Sequence, residues 1–401
     1  MNDPSRTLLA FGAGTWRWPR VFGSPRYHLW TLAERGWRVV YIEPPVRPLL
    51  RARWWQAPDR AFSVYTPAWV PPFGLRAMPC EAIARMARRA TAARLAAEGR
   101  RAWAHLHGPA DPAVVWLGAP WHGALLPRLP IGSRTIHHVY DELAASPALT
   151  HWQRRLLAQW EAELLAKADW VACSSMPQLE ARQSRTAGRL FLLENGVPEN
   201  FLANPLPPKE PGEVALLGEM QALKRPIYAY GGVADRRLSP HFFRALVRMI
   251  EQRGGTLAVL GKLDSSLDTA LREQWQRSPS VWLAGEIPHA LYPSLYAAAD
   301  CLVMAHRRHP FTDGMYPEKM NEYLATGKPI VARRMAELDR LAGESGAEGT
   351  IVRVDNPRAF ALANIGFGAI DTGELSAARK KLVATRTWGR LAEALDTVVT
   401  G

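Results

Sequence analysis

The sequence predicts an α/β protein of two doubly wound, Rossmann-like domains, and three observations carry that expectation. Short apolar runs of strand type alternate with amphipathic runs of helix type along the whole chain, the pattern of parallel sheets flanked by helices. A chain of 401 residues is long for one hydrophobic core, so two domains of about 200 residues each are the default. Between the two series of elements stand Pro198, Pro205, Pro207, Pro208 and Pro211, which read as a stiff, extended linker.

In the first series, strands are expected at residues 7–11, 38–42, 113–117, 135–139, 170–173 and 190–193. A helix at 27–35 carries Leu29, Trp30 and Leu32 and is stopped by Gly36; another at 152–167 presents Trp152, Leu156, Leu157, Trp160 and Leu164 on one face. In the second series, strands are expected at 227–230, 256–260, 280–283, 301–304, 328–331 and 350–352. The domains then span residues 1–205 and 206–385, with a closing helix at 386–401.

Open α/β sheets bind ligands at the carboxyl ends of their strands, so chemistry is sought there. The stretch from Thr312 to Ala332 is the richest. Pro317 suits a first helical turn, Met320, Tyr323 and Leu324 follow at helical spacing, Gly327 ends the helix and a strand follows. Lys319 falls in the first turn, where backbone N–H groups already favour an anion; a cation there completes a diphosphate pocket. Glu322, one turn deeper on the same face, can accept hydrogen bonds from two ribose hydroxyls. An exposed ion pair on an amphipathic helix is the alternative reading of the two residues.

The run Pro317-Glu-Lys-Met-Asn-Glu-Tyr-Leu-Ala-Thr-Gly-Lys-Pro-Ile-Val-Ala332 resembles the Pro-x-Lys-x-x-Glu-Tyr-Leu-Ala-x-Gly-Lys-Pro-Val-Val-Ala motif of bacterial GT-B glycosyltransferases. The group is the broad family 4-like one that includes teichuronic acid and exopolysaccharide enzymes. Asn195-Gly196-Val197, Tyr230-Gly231-Gly232 and Tyr296-Ala-Ala-Ala-Asp300 occur in the order that family shows. The resemblance implies a GT-B fold, with two Rossmann-like domains facing across a cleft and a last helix, carrying Trp388 to Leu395, that crosses back onto the first domain. It implies a metal-independent hexosyltransferase with no cofactor, using a nucleoside diphosphate sugar as donor and a polysaccharide or lipid-linked glycan as acceptor. Many members have a second glutamate eight positions before the first; here Gly314 stands there, so Asp313 is the residue that could replace it.

On the donor side, the N–H groups of Gly231 and Gly232 are expected to point towards the phosphates, with Arg236 or Lys262 adding charge. Arg307 and Arg308, between His306 and His309, are expected over the diphosphate. The run Gly285-Glu-Ile-Pro-His-Ala-Leu-Tyr292 resembles the family's loop that cups the nucleobase, where backbone groups read its edge. On the acceptor side, the strand at 135–139 delivers Tyr140, Asp141 and Glu142 to the sheet end, where His137, His138, Asp141 and Glu142 are the candidates. In an inverting enzyme a carboxylate takes the acceptor proton, and Asp141 is the candidate; in a retaining one it only orients substrate. A helix cap is the alternative role for Asp141. Gly12 and Gly14 follow the first strand, but Arg17 stands where a dinucleotide fingerprint needs a third glycine, which disfavours a nicotinamide enzyme. They either let the backbone approach substrate or simply form a turn.

Residues 1–205 carry a net charge of +10 against +3 for residues 206–401. Much of the excess lies at 47–55, where Trp54 and Trp55 stand beside arginines, and in a basic helix at 83–95. Tryptophan favours the headgroup region and each basic residue adds roughly 1 kcal/mol near an anionic leaflet, so peripheral binding to an anionic membrane surface is expected. A solvated helix face is the alternative. No nucleic-acid-binding module is recognisable, and no nucleic acid partner is expected. Cys80, Cys173 and Cys301 lack zinc spacing, so no metal site or disulfide is expected. With no signal peptide or spanning segment read, the protein is expected in the cytoplasm, peripheral on the cytoplasmic face of the inner membrane. A sugar-nucleotide epimerase of the same fold and a non-catalytic sugar-nucleotide-binding protein remain as rival readings.

Overall fold

A computed structural model describes residues 3–14, 24–44, 51–57, 61–68, 75–203, 207–344, 346 and 348–401. Arg17, Arg47, Pro205 and the expected domain boundary at 205/206 lie outside the described residues. The chain forms two compact units. The first comprises Met1–Glu194, Gly314–Tyr316 and Trp388–Gly401, the second Asn195–Asp313 and Pro317–Thr387.

The first unit holds β1 (Thr7–Phe11), β2 (Arg38–Ile42), β3 (Arg53–Gln56), β4 (Phe62–Thr66), β5 (Val114–Leu117), β6 (Arg134–Val139), β7 (Trp170–Cys173) and β8 (Arg189–Leu192). They form one sheet in the order β3-β4-β2-β1-β5-β6-β7-β8, parallel except for β3, which pairs antiparallel with β4 at the edge. Helices α1 (Ser24–Glu34), α2 (Glu81–His107), α3 (His151–Leu165) and α4 (Met176–Glu180) belong to this unit. A parallel sheet is covered on both faces, so β1 is buried at every position. Leu8, Ala10, Trp116 and Ile136 pack with Leu29 and Leu32 of α1, while Leu9, Phe11, Val40 and Val115 pack with Leu95, Ala96 and Trp103 of α2.

The second unit holds β9 (Ile227–Gly231), β10 (Thr256–Leu260), β11 (Val281–Gly285), β12 (Cys301–Met304), β13 (Ile330–Arg333) and β14 (Val352–Val354). Its sheet is parallel, in the order β11-β10-β9-β12-β13-β14. Helices α5 (Pro211–Ala222), α6 (Pro240–Arg253), α7 (Thr269–Arg277), α8 (Tyr292–Ala298), α9 (Pro310–Asp313), α10 (Glu318–Thr326), α11 (Ala336–Glu344), α12 (Pro357–Ile370) and α13 (Gly373–Ala384) connect the strands or follow them. The connections wind outward in both directions from β9 and β12. That reversal of strand order opens a crevice at their carboxyl ends, where ligands of such sheets bind.

The last helix, α14 (Trp388–Thr400), completes the first unit by packing on α1. Its buried Asp396 accepts hydrogen bonds from Trp37 Nε1 at 2.9 Å and from Arg6 at 3.2 Å. Trp388 stacks on Tyr27, with ring centroids 4.6 Å apart.

Two differences from the sequence reading concern elements. Strands β3 and β4 stand where none is expected. The proline-rich stretch is not one extended linker: a 3-10 turn covers Glu199–Phe201, and α5 begins at Pro211, which occupies the first helical turn where its missing N–H costs nothing.

Four histidines of the first unit, His28, His122, His137 and His138, are almost completely buried. Burial holds each in its neutral form, lowering His28 and His122 to about 3 and His138 well below its usual value. His137 is also lowered by burial, against the opposing effect of its hydrogen-bonding contact with the Leu117 carbonyl at 3.0 Å. In the unfolded chain the same groups titrate near 6.5, so unfolding takes up protons below that pH. Stability is therefore full above about pH 6.5 and falls as pH drops towards the folded values, by up to about 1.4 kcal/mol per pH unit for each histidine. Urea unfolding at about pH 7 and about pH 5 should show this loss, and His138→Phe should lessen it; an equal midpoint at both pH values would contradict it.

Candidate functional site

The site in the second unit is built where β9 and β12 part. Their ladder pairs Cys301 with Tyr228 and Leu302 with Ala229, and the next turns of chain diverge. Tyr323 of α10 fills the gap: its hydroxyl accepts from the Gly231 N–H at 2.8 Å and donates to the Val303 carbonyl at 3.4 Å. Tyr323, Met320 and Leu324 of α10 are fully buried, and Lys319 and Glu322, three residues apart, share the flank of the helix next to Tyr323. Gly327, in the left-handed region at φ 71°, ends the helix.

Pro317 takes the N-cap position and Lys319 lies in the first turn. The lysine stem crosses Gly232, so closely that any side chain there would collide with its Cε and Nζ. Gly232 has φ 103°, a second reason for glycine. No carboxylate among the described residues comes within ion-pair distance of the Lys319 ammonium. Burial lowers its pKa, helped by repulsion from Arg237 and opposed by Glu322, Glu318 and Asp235. A partly buried cation in the first turn of a helix, with no carboxylate at ion-pair distance, is a site for a polyanion.

Glu322 is held from two sides. Its Oε1 lies 3.0 Å from His289 Nε2 and its Oε2 accepts from the Tyr296 hydroxyl at 3.2 Å. Tyr296 fits against the backbone only because Gly231 has no side chain. It meets Tyr323 edge-on, with centroids 5.1 Å apart.

The structure corrects several expectations. The N–H groups of Gly231 and Gly232 do not point at a ligand, since they are spent on Tyr323 and on the Leu260 carbonyl at 2.7 Å. These glycines give space to Tyr296 and Lys319 instead. Arg307 is drawn aside, donating to the Leu238 carbonyl at 3.0 Å and pairing with Asp268 at 3.5 Å, and Arg308 lies 3.9 Å from Asp355. Asp313 pairs with the buried Arg333 at 3.3 Å, so a cation already claims it. The basic groups beside Lys319 are Arg237, paired with Asp235 at 2.9 Å, and His306, held neutral by burial and by the charges of Arg237, Lys319 and Arg333. Arg237 and Arg333 were not singled out in the sequence; their positions just after β9 and at the end of β13 were the available signal.

In the first unit, Asp141 follows β6 and lines a small cavity with Pro120, His137, His138, Tyr140 and Glu161. It is not a cap: Glu142 holds the N-cap position of the 3-10 turn Leu143–Ala145, without a side-chain capping bond. Glu142 is not a free acceptor contact, because Arg182 binds both its oxygens, at 2.7 and 3.0 Å, and also binds Glu161 at 2.9 Å. His138 is packed edge-on against His28 and Trp116, with centroids 5.7 and 5.0 Å away, so it presents no charged group. The Gly12 N–H donates to the Ile42 carbonyl at 2.9 Å, and a side chain at Gly12 would strike the Tyr41 hydroxyl. That hydroxyl donates to the Gly14 carbonyl at 2.5 Å, so both glycines serve the strand-end turn.

Residues 227–366 match the family model of glycosyl transferases group 1. A teichuronic acid biosynthesis glycosyltransferase of Bacillus subtilis (strain 168), TuaH, is 23% identical over 215 residues, a match that spans 51% of this chain and 52% of the relative. The chain thus spans about half the length of that curated relative. Among solved structures, sucrose-phosphate synthase from Thermosynechococcus elongatus superposes with a TM-score of 0.70 at 20% identity, covering 98% of each chain. HepE of Anabaena in complex with UDP-glucose gives a TM-score of 0.63 at 15% identity, over 98% of this chain and 99% of HepE. The chain has the GT-B fold, and the match to glycosyl transferases group 1 covers residues 227–366.

Proposed function

We propose that this protein is a glycosyltransferase moving a hexose from a nucleoside diphosphate sugar to a polysaccharide or lipid-linked glycan acceptor in cell-surface glycan synthesis. The observation that carries the reading is the Lys319 ammonium, partly buried without a carboxylate at ion-pair distance, in the first turn of α10 and three residues before Glu322. Lys319 and the helix N-terminus would neutralise the leaving diphosphate, the task a divalent cation performs in other transferases. Glu322 would accept the ribose hydroxyls. The UDP-glucose complex of the structural neighbour HepE and the teichuronic acid relative support the donor class and the cell-surface role.

Thermal unfolding with a panel of UDP-, GDP- and ADP-sugars tests the donor site. A ligand at about 100 times its dissociation constant should stabilise the protein by roughly 2.7 kcal/mol. Lys319→Ala should abolish that gain and Glu322→Ala should reduce it; an unchanged gain in both variants would remove the assignment.

Asp141 is proposed as the base that takes the acceptor proton if transfer inverts configuration. Asp141→Asn should then cut acceptor-dependent release of nucleoside diphosphate by about a hundredfold to ten-thousandfold while leaving sugar-nucleotide binding intact. Full turnover in the variant would exclude a base role, and epimer formed from donor alone would point to an epimerase.

The membrane expectation rests on a smaller surface than the charge count suggests. On α2, Arg85 pairs with Glu81, Arg88 with Glu163, and Arg94 and Arg101 with Glu98, while Arg100 donates to the Arg128 carbonyl. Arg89 is left exposed beside Ile83 and Met86, which are 42% and 64% exposed. Trp54, 39% exposed, adds an aromatic group on edge strand β3. Among the described residues no helix is long and apolar enough to cross a membrane. Surface attachment through the Ile83, Met86 and Arg89 patch should be lowered about tenfold by Ile83→Glu with Met86→Glu, read as co-sedimentation with vesicles containing phosphatidylglycerol. Equal sedimentation of both proteins would place attachment elsewhere or remove it.

A further inference from the structure

The second unit contains an exposed imidazole whose contacts are directed at the proposed donor-binding carboxylate. His289 opens the 3-10 turn His289–Leu291 that follows β11, with its side chain 42% exposed, and its Nε2 meets Oε1 of Glu322 at 3.0 Å. Tyr296 occupies Oε2 from the buried side. Each carboxylate oxygen has two lone-pair directions, so one remains open on each, a geometry suited to the paired hydroxyls of a ribose. The far side of the imidazole is steadied by Phe201 and Tyr292, with centroids 5.5 and 5.9 Å away.

We propose that His289 is a positioning residue that, when protonated, clamps Glu322 in the orientation needed to receive the donor's ribose. The proposal rests on the donor-site reading above and deepens it. A protonated imidazole donates a charge-assisted bond to the carboxylate, whereas a neutral ring donates a weaker one or turns a lone pair towards it. The groups facing His289 are Glu322, Glu318 and Lys319 from α10 and Tyr292 from α8, with Glu286 beside Tyr292; Phe201 brings no charge. Burial disfavours its proton, but the hydrogen bond with Glu322 and the charges of Glu322 and Glu318 outweigh it, and the pKa is raised. The clamp is therefore complete on the acid side of neutrality and is lost as pH rises through the raised value.

The test is calorimetric affinity for UDP-glucose, GDP-mannose and ADP-glucose at about pH 6 and about pH 8, using the wild type, His289→Gln, His289→Ala and Lys319→Ala. Whichever sugar nucleotide binds the wild type should bind about threefold to tenfold more weakly at the higher pH. His289→Gln, a permanent neutral donor with an unchanged thermal midpoint, should bind with a flat pH profile, and His289→Ala should be flat and weaker. A flat wild-type profile, or a slope retained in His289→Gln, would overturn the clamp while the donor site stands. Failure of all three to bind the wild type, or equal binding by Lys319→Ala, would overturn the donor-site reading itself.

Discussion

The second unit is organised around one uncompensated charge. Shielding an ammonium from water without a partner is costly, and the local structure keeps Lys319 partly shielded while satisfying its neighbours. Arg237 has Asp235 and Arg333 has Asp313, so those cations are neutralised where they stand. His306 remains neutral through burial. What is left over at the amino end of α10 is the Lys319 ammonium, and the field there favours a ligand carrying negative charge.

That arrangement depends on the way the sheet splits. Between β9 and β12 the ladder stops after two residue pairs, leaving a Gly231 N–H and a Val303 carbonyl that would otherwise be buried and unmatched. The Tyr323 hydroxyl serves both, which fixes the rotation of α10 about its axis. Once Tyr323 is inward, Glu322 must sit one residue round, within reach of Tyr296 and His289, and Lys319 must lie over Gly232. Two adjacent glycines are thus needed for different contacts, one for Tyr296 and one for Lys319.

The fold was legible because parallel strands buried on both faces are near-continuous apolar runs, and β1, β2, β5, β7, β9, β10, β12 and β13 announce themselves that way. Strand β3 was not, since an edge strand of Arg53, Trp54, Trp55 and Gln56 has no buried face of its own and looks like a surface feature, and β4, buried between it and β2, was missed with it. Pro211 misled because a proline marks a helix start as readily as a linker. In the site, the identity and helical spacing of Lys319 and Glu322 could be read directly. The direction of backbone N–H groups could not: whether Gly231 donates to a ligand or to a tyrosine ninety-two residues away is decided by tertiary packing. For the same reason Arg307 was favoured over Arg237, although the carboxylates that claim them are specified only in space.

The first unit shows the same logic applied to two adjacent carboxylates. Glu142 and Asp141 share a sequence environment, yet only Glu142 is bound on both oxygens by Arg182, a guanidinium that is itself buried and also serves Glu161. Removing Glu142 would leave that buried cation short of a partner, a loss of several kcal/mol in comparable pairs, so Glu142 is committed to structure. Asp141, the neighbouring carboxylate, borders the cavity beside Tyr140 and His137. A residue that must change its hydrogen-bonding partner during a reaction cannot also be the anchor of a buried ion pair, and that incompatibility removes Glu142 from the substrate contacts.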